Sequence, residues 1–200
     1  TYEAGRLVIG GGVTHREVAA VAFPGLAGLA GGIGDPAVRN RGTLGGSLAN
    51  NDPSACYPAA ALGTGAVIKT DRREIAADDF FQGMFETALE EGEIIVEVGF
   101  PVPEVSAYAK FEQPASRFAL VGVFVARFGD SVRVAVTGAS EGGVFRWAAA
   151  ERALSSDFAV SSLEGLSIPA DGMMADLHGP AAYRAHLVAV MTRRAVAAVG

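Results

Sequence analysis

The sequence is poor in the residues that build metal centres and covalent frameworks. A single cysteine, Cys56, permits no internal disulfide and cannot alone hold an iron–sulfur cluster or a zinc ion. His15, His178 and His186 lack a ligand spacing such as His-x-x-x-His. No metal site is expected in this chain, and any redox metal must come from elsewhere. Basic runs interleaved with aromatics are missing too. The cations are mostly scattered arginines and the formal net charge is −6, which argues against nucleic acid as a partner. The longest apolar stretch, near Phe118 to Phe128, is too short to span a bilayer, and no charged-then-apolar secretory leader precedes it. The expectation is a cytoplasmic protein without a membrane span. The chain opens at Thr1, already close to the strand-like Arg6-Leu-Val-Ile9, as a piece of something longer would.

What is present is enough apolar material for a real core, half of 200 residues, in one large domain or two small ones. The most distinctive stretch is Arg39-Asn-Arg-Gly-Thr-Leu-Gly-Gly-Ser-Leu-Ala-Asn-Asn51. Gly42, Gly45 and Gly46 let backbone turn sharply and approach a ligand, while Thr43 and Ser47 add hydroxyls and exposed N–H groups add donors. The pattern matches neither G-x-G-x-x-G nor G-x-x-x-x-G-K-[ST], so nucleotide hydrolysis is a poor reading. Taken alone, the loop is also compatible with a tight turn or bulge between buried strands, the commoner use of a glycine pair.

Around it the pattern is mixed. Leu7 to Ile9 reads as a strand, Gly10-Gly-Gly12 as a strand-to-helix turn rather than a phosphate loop, and Thr14-His-Arg-Glu17 as a capping box opening a helix from His15 to about Ala22. Asp52-Pro53-Ser54 predicts a cap for a helix over Ala55 to Leu62, which puts Cys56 in the first turn. With no His or second Cys beside it, that thiol reads as a small buried apolar residue. Ala66 to Thr70 and Glu74 to Ala76 read as strands, and Asp78 as a cap. Over Glu93 to Phe100, Ile94, Val96, Val98 and Phe100 share one face and Ile95, Glu97 and Gly99 the other. Pro101-Val-Pro103 marks a boundary, dividing the chain into 1–103 and 104–200. Beyond it an antiparallel meander over Tyr108 to Ala139 precedes short helices and a long one from Ala182 to Val199. That helix is expected to bury Tyr183, Leu187, Val190, Met191, Ala195 and Ala198. Glu90, Glu91 and Glu93 read as a solvated turn, and no triad or carboxylate dyad is evident, so no catalytic side chain is assigned.

The run from Arg39 to Pro53, followed by Tyr57-Pro-Ala59, closely resembles the second FAD-binding motif of the medium, flavin-carrying subunits of the xanthine dehydrogenase and carbon monoxide dehydrogenase family. Ile33-Gly-Asp-Pro36, Gly92-Glu-Ile-Ile95, Phe100-Pro101, Tyr183-Arg-Ala-His-Leu187 and Arg193-Arg194 extend the resemblance over essentially the whole chain.

The resemblance implies an α+β chain: part of a vanillyl-alcohol-oxidase-like FAD domain, then a C-terminal domain with a three-stranded antiparallel sheet and helices. It implies two partners, a molybdopterin-binding large subunit and a small subunit with [2Fe-2S] clusters. Electrons would leave through FAD to NAD, quinone or oxygen. On this resemblance Thr43, Leu44, Gly45, Gly46 and Ser47 hold the flavin nucleotide, Ile33 and Ile95 are apolar contacts, and Lys110 approaches the ring.

Two departures stand out. The family's first motif, Ala-Gly-Gly-x-Ser, does not occur here, and Cys56 stands where the family usually has an aspartate. A thiol is a weak acceptor, and a lost hydrogen bond costs about 1 kcal/mol. These departures motivate an alternative, a structural or docking chain of the assembly that no longer binds FAD. A stand-alone vanillyl-alcohol-oxidase-like oxidase is disfavoured by the C-terminal pattern.

Overall fold

The computed structural model describes residues 1–200. A short β1 (Tyr2–Glu3) turns into β2 (Arg6–Gly10). Thr14 then caps α1 (His15–Val18) through both halves of the expected capping box. The helix is shorter than its pattern predicts. Past Val18 the N–H groups of Ala20 and Val21 bond carbonyls three residues back, tightening the chain ahead of Pro24. Next come α2 (Pro24–Gly31), α3 (Pro36–Arg39), α4 (Leu44–Asn50) and α5 (Tyr57–Thr64).

The start of α5 differs from expectation. Asp52 Oδ1 accepts from the Ser54 N–H in a local turn, so it caps nothing, and Cys56 occupies the N-cap without a side-chain bond. Gly65, at φ 67°, ends the helix, two residues beyond its expected last turn.

β3 (Val67–Thr70), β4 (Glu74–Ala76) and α6 (Ala77–Phe80) follow. Asp78 does not cap α6. Its carboxylate lies 2.7 Å from Arg133 and 3.4 Å from Arg146. A small hairpin, β5 (Phe81–Gly83) and β6 (Glu86–Thr87), leads to β7 (Ile95–Pro101). The first sheet has the order β1-β2-β7-β3-β4 with antiparallel pairing throughout. In β7 the predicted two-faced alternation breaks. Lys69 pairs with Glu97 but Thr70 with Ile95, a bulge that turns Ile95 inward and leaves Ile94 and Val96 exposed, while Val98 and Phe100 stay in the core.

The second sheet is formed by β8 (Val105–Glu112), β9 (Ala119–Phe128), β10 (Ser131–Thr137) and the two-residue β11 (Phe145–Arg146), in the order β11-β10-β9-β8. Three strands carry it, as expected, and β11 adds a fourth at the edge. α7 (Ala148–Ser156), a single 3-10 turn (Val160–Leu163) and α8 (Ala181–Ala197) complete the chain. β9 is buried from Ala119 to Ala126 because both sheet faces are covered, by α2 and α5 on one side and α7 and α8 on the other. That is why it reads as an unbroken apolar run.

The first core joins Leu26, Leu48, Tyr57, Ile68, Val98 and Phe100, and reaches Phe124 and Ala135 of the second sheet. The second core packs Val121, Val123 and Val134 on Leu154, Leu187, Val188 and Met191. In α8 the buried face is rotated from the expected one: Leu187, Met191 and Ala195 are in it, Tyr183 and Ala198 are exposed, Val190 is half-buried, and Arg184 is buried. No helix is long and apolar enough to cross a membrane.

Candidate functional site

The glycine-rich loop becomes the N-terminal turn of α4. Thr43 is its N-cap, with Oγ1 accepting from the Gly46 N–H at 3.1 Å. The neighbouring N–H groups are also engaged. Leu44 donates to Val13 O (3.0 Å), Gly45 to Gly11 O (2.8 Å) and Ser47 to Thr43 O (3.1 Å). Of the donors expected to be exposed, Leu44 through Ser47 are therefore spent within the chain, and the Thr43 N–H keeps no partner in it. The glycines serve a close approach of three backbone segments. A Cβ on Gly45 would lie 2.8 Å from Gly11 O, and one on Gly11 would lie 2.3 Å from Ile95 O.

Two concave surfaces flank α4. One is a cavity of about 200 Å³ bordered by His15, Ile33, Ser47, Asp52 and Cys56, with Arg117 and Phe118 at its rim. The other is a shallower groove walled by Gly11, Gly12, Thr43, Gly45, Gly46 and Ile95. The residues singled out by sequence are thus divided. Ile33, Ser47 and Cys56 line the cavity, and Thr43, Gly45, Gly46 and Ile95 line the groove. Leu44 lines neither and is fully buried in the core. Lys110 lines neither as well. Its ammonium donates to Gly32 O and Arg117 O, both at 2.7 Å, and so ties the β8–β9 turn to the segment just before Ile33.

The electrostatics follow from burial. Cys56 is 5% exposed, and burial pushes its thiol pKa up, with the nearby Lys110 charge acting against that shift. His15 is equally buried, and desolvation pushes its pKa down, which favours the neutral ring. The Tyr57 hydroxyl is buried without a partner.

At the end of the groove Glu93 is not in a solvated turn. Its carboxylate accepts from Arg73, Thr70 and the Glu90 N–H. These bonds, Arg73 foremost, bring its pKa down to about 2. Sequence reasoning did not single out His15, Asp52, Arg117, Phe118, Gly11 or Glu93 as site residues. The sequence pattern points to Asp52 as a helix cap and to His15 as a helix start, and only the fold turns both toward the cavity. One free Asp52 oxygen there can accept a hydroxyl hydrogen, as the Cys56 thiol does poorly.

Residues 1–103 match the family described as the FAD binding domain in molybdopterin dehydrogenase. The nicotine 6-hydroxylase medium subunit of Paenarthrobacter nicotinovorans is 35% identical over 94% of this chain and 73% of its own length. The carbon monoxide dehydrogenase medium chain of Hydrogenophaga pseudoflava is 30% identical over 98% and 74%. Among solved structures, quinoline 2-oxidoreductase from Pseudomonas putida 86 superposes with a TM-score of 0.84 at 28% identity, covering 99% of this chain and 76% of that one. The Cu,Mo-CO dehydrogenase gives 0.82 at 28% identity, covering 98% and 76%.

Proposed function

Because this chain belongs to the family of FAD-binding domains of molybdopterin dehydrogenases, we propose that it works as the electron outlet of a molybdenum hydroxylase. In this reading a molybdopterin-binding large subunit oxidises the substrate. A small subunit passes the electrons through [2Fe-2S] clusters, and FAD on this chain delivers them to an outside acceptor such as NAD, quinone or oxygen. The relatives named as medium subunits of such enzymes support it. Residues 1–103 form the FAD-binding part and 104–200 the flavoprotein C-terminal part, a division supported by the end of the family match at Pro103.

The observation that carries the reading is that one short helix, capped by Thr43, is the shared wall of a cavity and a groove. An elongated dinucleotide needs two such adjoining surfaces. The donor set fits it. Gly45 and Gly46 have no side chain to obstruct the groove, and the Thr43 N–H and the Thr43 and Ser47 hydroxyls remain available to phosphate oxygens. Ile33 and Phe118 offer apolar cover for a ring, and Ile95 packs at the groove. Asp52 takes the acceptor role that Cys56 fills weakly. Lys110 holds the Gly32–Ile33 backbone in place and brings a positive charge close to the cavity. When bound, the flavin supplies the redox chemistry, and the protein supplies binding, orientation and local charge.

Titration of the chain with FAD, followed by flavin fluorescence and absorbance, tests this. Saturable binding is expected. Thr43→Val with Ser47→Ala should weaken it about tenfold or more, for two lost hydrogen bonds of about 1 kcal/mol each. A chain that is colourless once excess FAD has been removed would overturn the reading and leave the docking role.

A further inference from the structure

His15 has an environment that neither its helix nor the core accounts for. Its main chain is fixed twice, by the capping box at Thr14 and by its own N–H to Gly42 O at 2.9 Å. Its ring stands against Tyr57, centroids 5.2 Å apart and tilted 53°. Only 5% of the residue is exposed, yet neither ring nitrogen has a partner in the chain. The two nitrogens are not alike. Nδ1 is sealed from solvent, whereas Nε2 is not among the sealed atoms and the ring borders the cavity. Gly42 maintains that opening. A Cβ there would sit 2.5 Å from Nε2 and 2.9 Å from Cδ2.

A sealed N–H without an acceptor is rarer and costlier than a sealed lone pair. The neutral ring therefore carries its proton on Nε2, the nitrogen at the opening, and offers the cavity a hydrogen-bond donor fixed by packing on both sides.

Resting on the reading that this cavity holds FAD, we infer that His15 is a cofactor-binding residue whose Nε2–H donates to an acceptor atom of the bound FAD, with Gly42 as the residue that keeps this donor uncovered. The donor is neutral, so its contribution is direction rather than charge. It adds to the Ser47 hydroxyl and the Asp52 carboxylate, which border the same cavity.

Proton–nitrogen correlation spectra of the histidine rings, assigned with His15→Gln, test the inference in the intact chain. The free protein should show His15 protonated on Nε2, and saturation with FAD should move that proton downfield and slow its exchange. Glutamine can place an amide N–H where Nε2–H lies. His15→Gln should keep FAD affinity within about threefold of the wild type, and His15→Phe, which keeps the ring packing and loses the donor, should lower it about tenfold. FAD that binds without moving the His15 signals overturns the inference and leaves the cavity's water as the partner. Equal losses in the Gln and Phe variants also overturn it, since they would make ring packing the cause. If either variant fails to fold, the wild-type spectra decide alone. A chain that binds no FAD overturns the cofactor reading, and this inference with it.

Discussion

Glu93 is the side chain most out of keeping with its neighbours in the sequence. Two adjacent glutamates precede it, and Glu90 keeps much of its side chain in solvent, whereas the Glu93 side chain is fully buried. It gathers donors from Arg73, Thr70 and the backbone. A carboxylate whose folded pKa is about 2, below its unfolded value of about 4.3, stabilises the fold fully above that unfolded value. The contribution is lost as pH falls from about 4.3 through about 2. Thermal unfolding of the wild type and Glu93→Gln across this range checks it. The variant should melt clearly lower at pH 7, and the gap should close as the pH approaches 2. A gap that does not vary with pH would remove the carboxylate as its cause.

At the scale of elements, the crossing of the β2–α1 turn, the start of α4 and the start of β7 sets the groove. Gly45 and Gly11 meet backbone to backbone, with Gly11 against Ile95 O on its other side. Neither contact can be relieved by turning a side chain. Gly45→Ala should destabilise the fold by about 1–3 kcal/mol, the usual cost of overpacking. Gly11→Ala, at the tighter distance, should cost at least as much, and urea denaturation measures both. Gly12, which has nothing within 4 Å of an added Cβ, is the control. Its substitution by Ala should change stability by less than about 1 kcal/mol. Similar losses at Gly11 and Gly12 would mean that the close approach is not what those glycines serve. The capping box at Thr14 follows from residues adjacent in sequence, and the pattern located it. The bulge that turns Ile95 inward depends on the pairing of β7 with β3 and could not be read from β7 alone.

For the whole molecule, Arg184 is the principal polar tie. It is 1% exposed on α8, donates to Leu120 O at 2.7 Å and Gly138 O at 2.6 Å, and pairs with Asp176 at 2.7 Å. It therefore joins α8, the start of β9 and the turn after β10. Arg184→Leu leaves two buried carbonyls and a carboxylate without their donor. The expected loss is about 1–3 kcal/mol of unfolding free energy for each of the two buried carbonyls left unpaired, read as a lower urea midpoint with an unchanged slope. A loss below about 1 kcal/mol would show that neighbouring groups or water replace the guanidinium. The same side chain explains why the buried face of α8 is rotated from its apolar pattern: periodicity counts hydrophobic residues and misses a cation satisfied by distant carbonyls.

The sequence by itself determined the order and type of most elements and marked the loop around Thr43 to Ser47 as the centre of interest, with the boundary at Pro101 to Pro103 as an expectation. Those features rest on periodicity, capping and glycine, which act over a few neighbouring residues. Only the tertiary structure decided which groups of that loop stay free. The N–H groups of Leu44 and Gly45 bond to Val13 and Gly11 from another part of the chain, which leaves Thr43 and the hydroxyls as donors. The fold likewise brought Asp52 and His15 into the cavity and gave Lys110 two carbonyl partners in place of an open position. Hydrogen bonds and packing between segments far apart in sequence fix these outcomes, and no local pattern carries them.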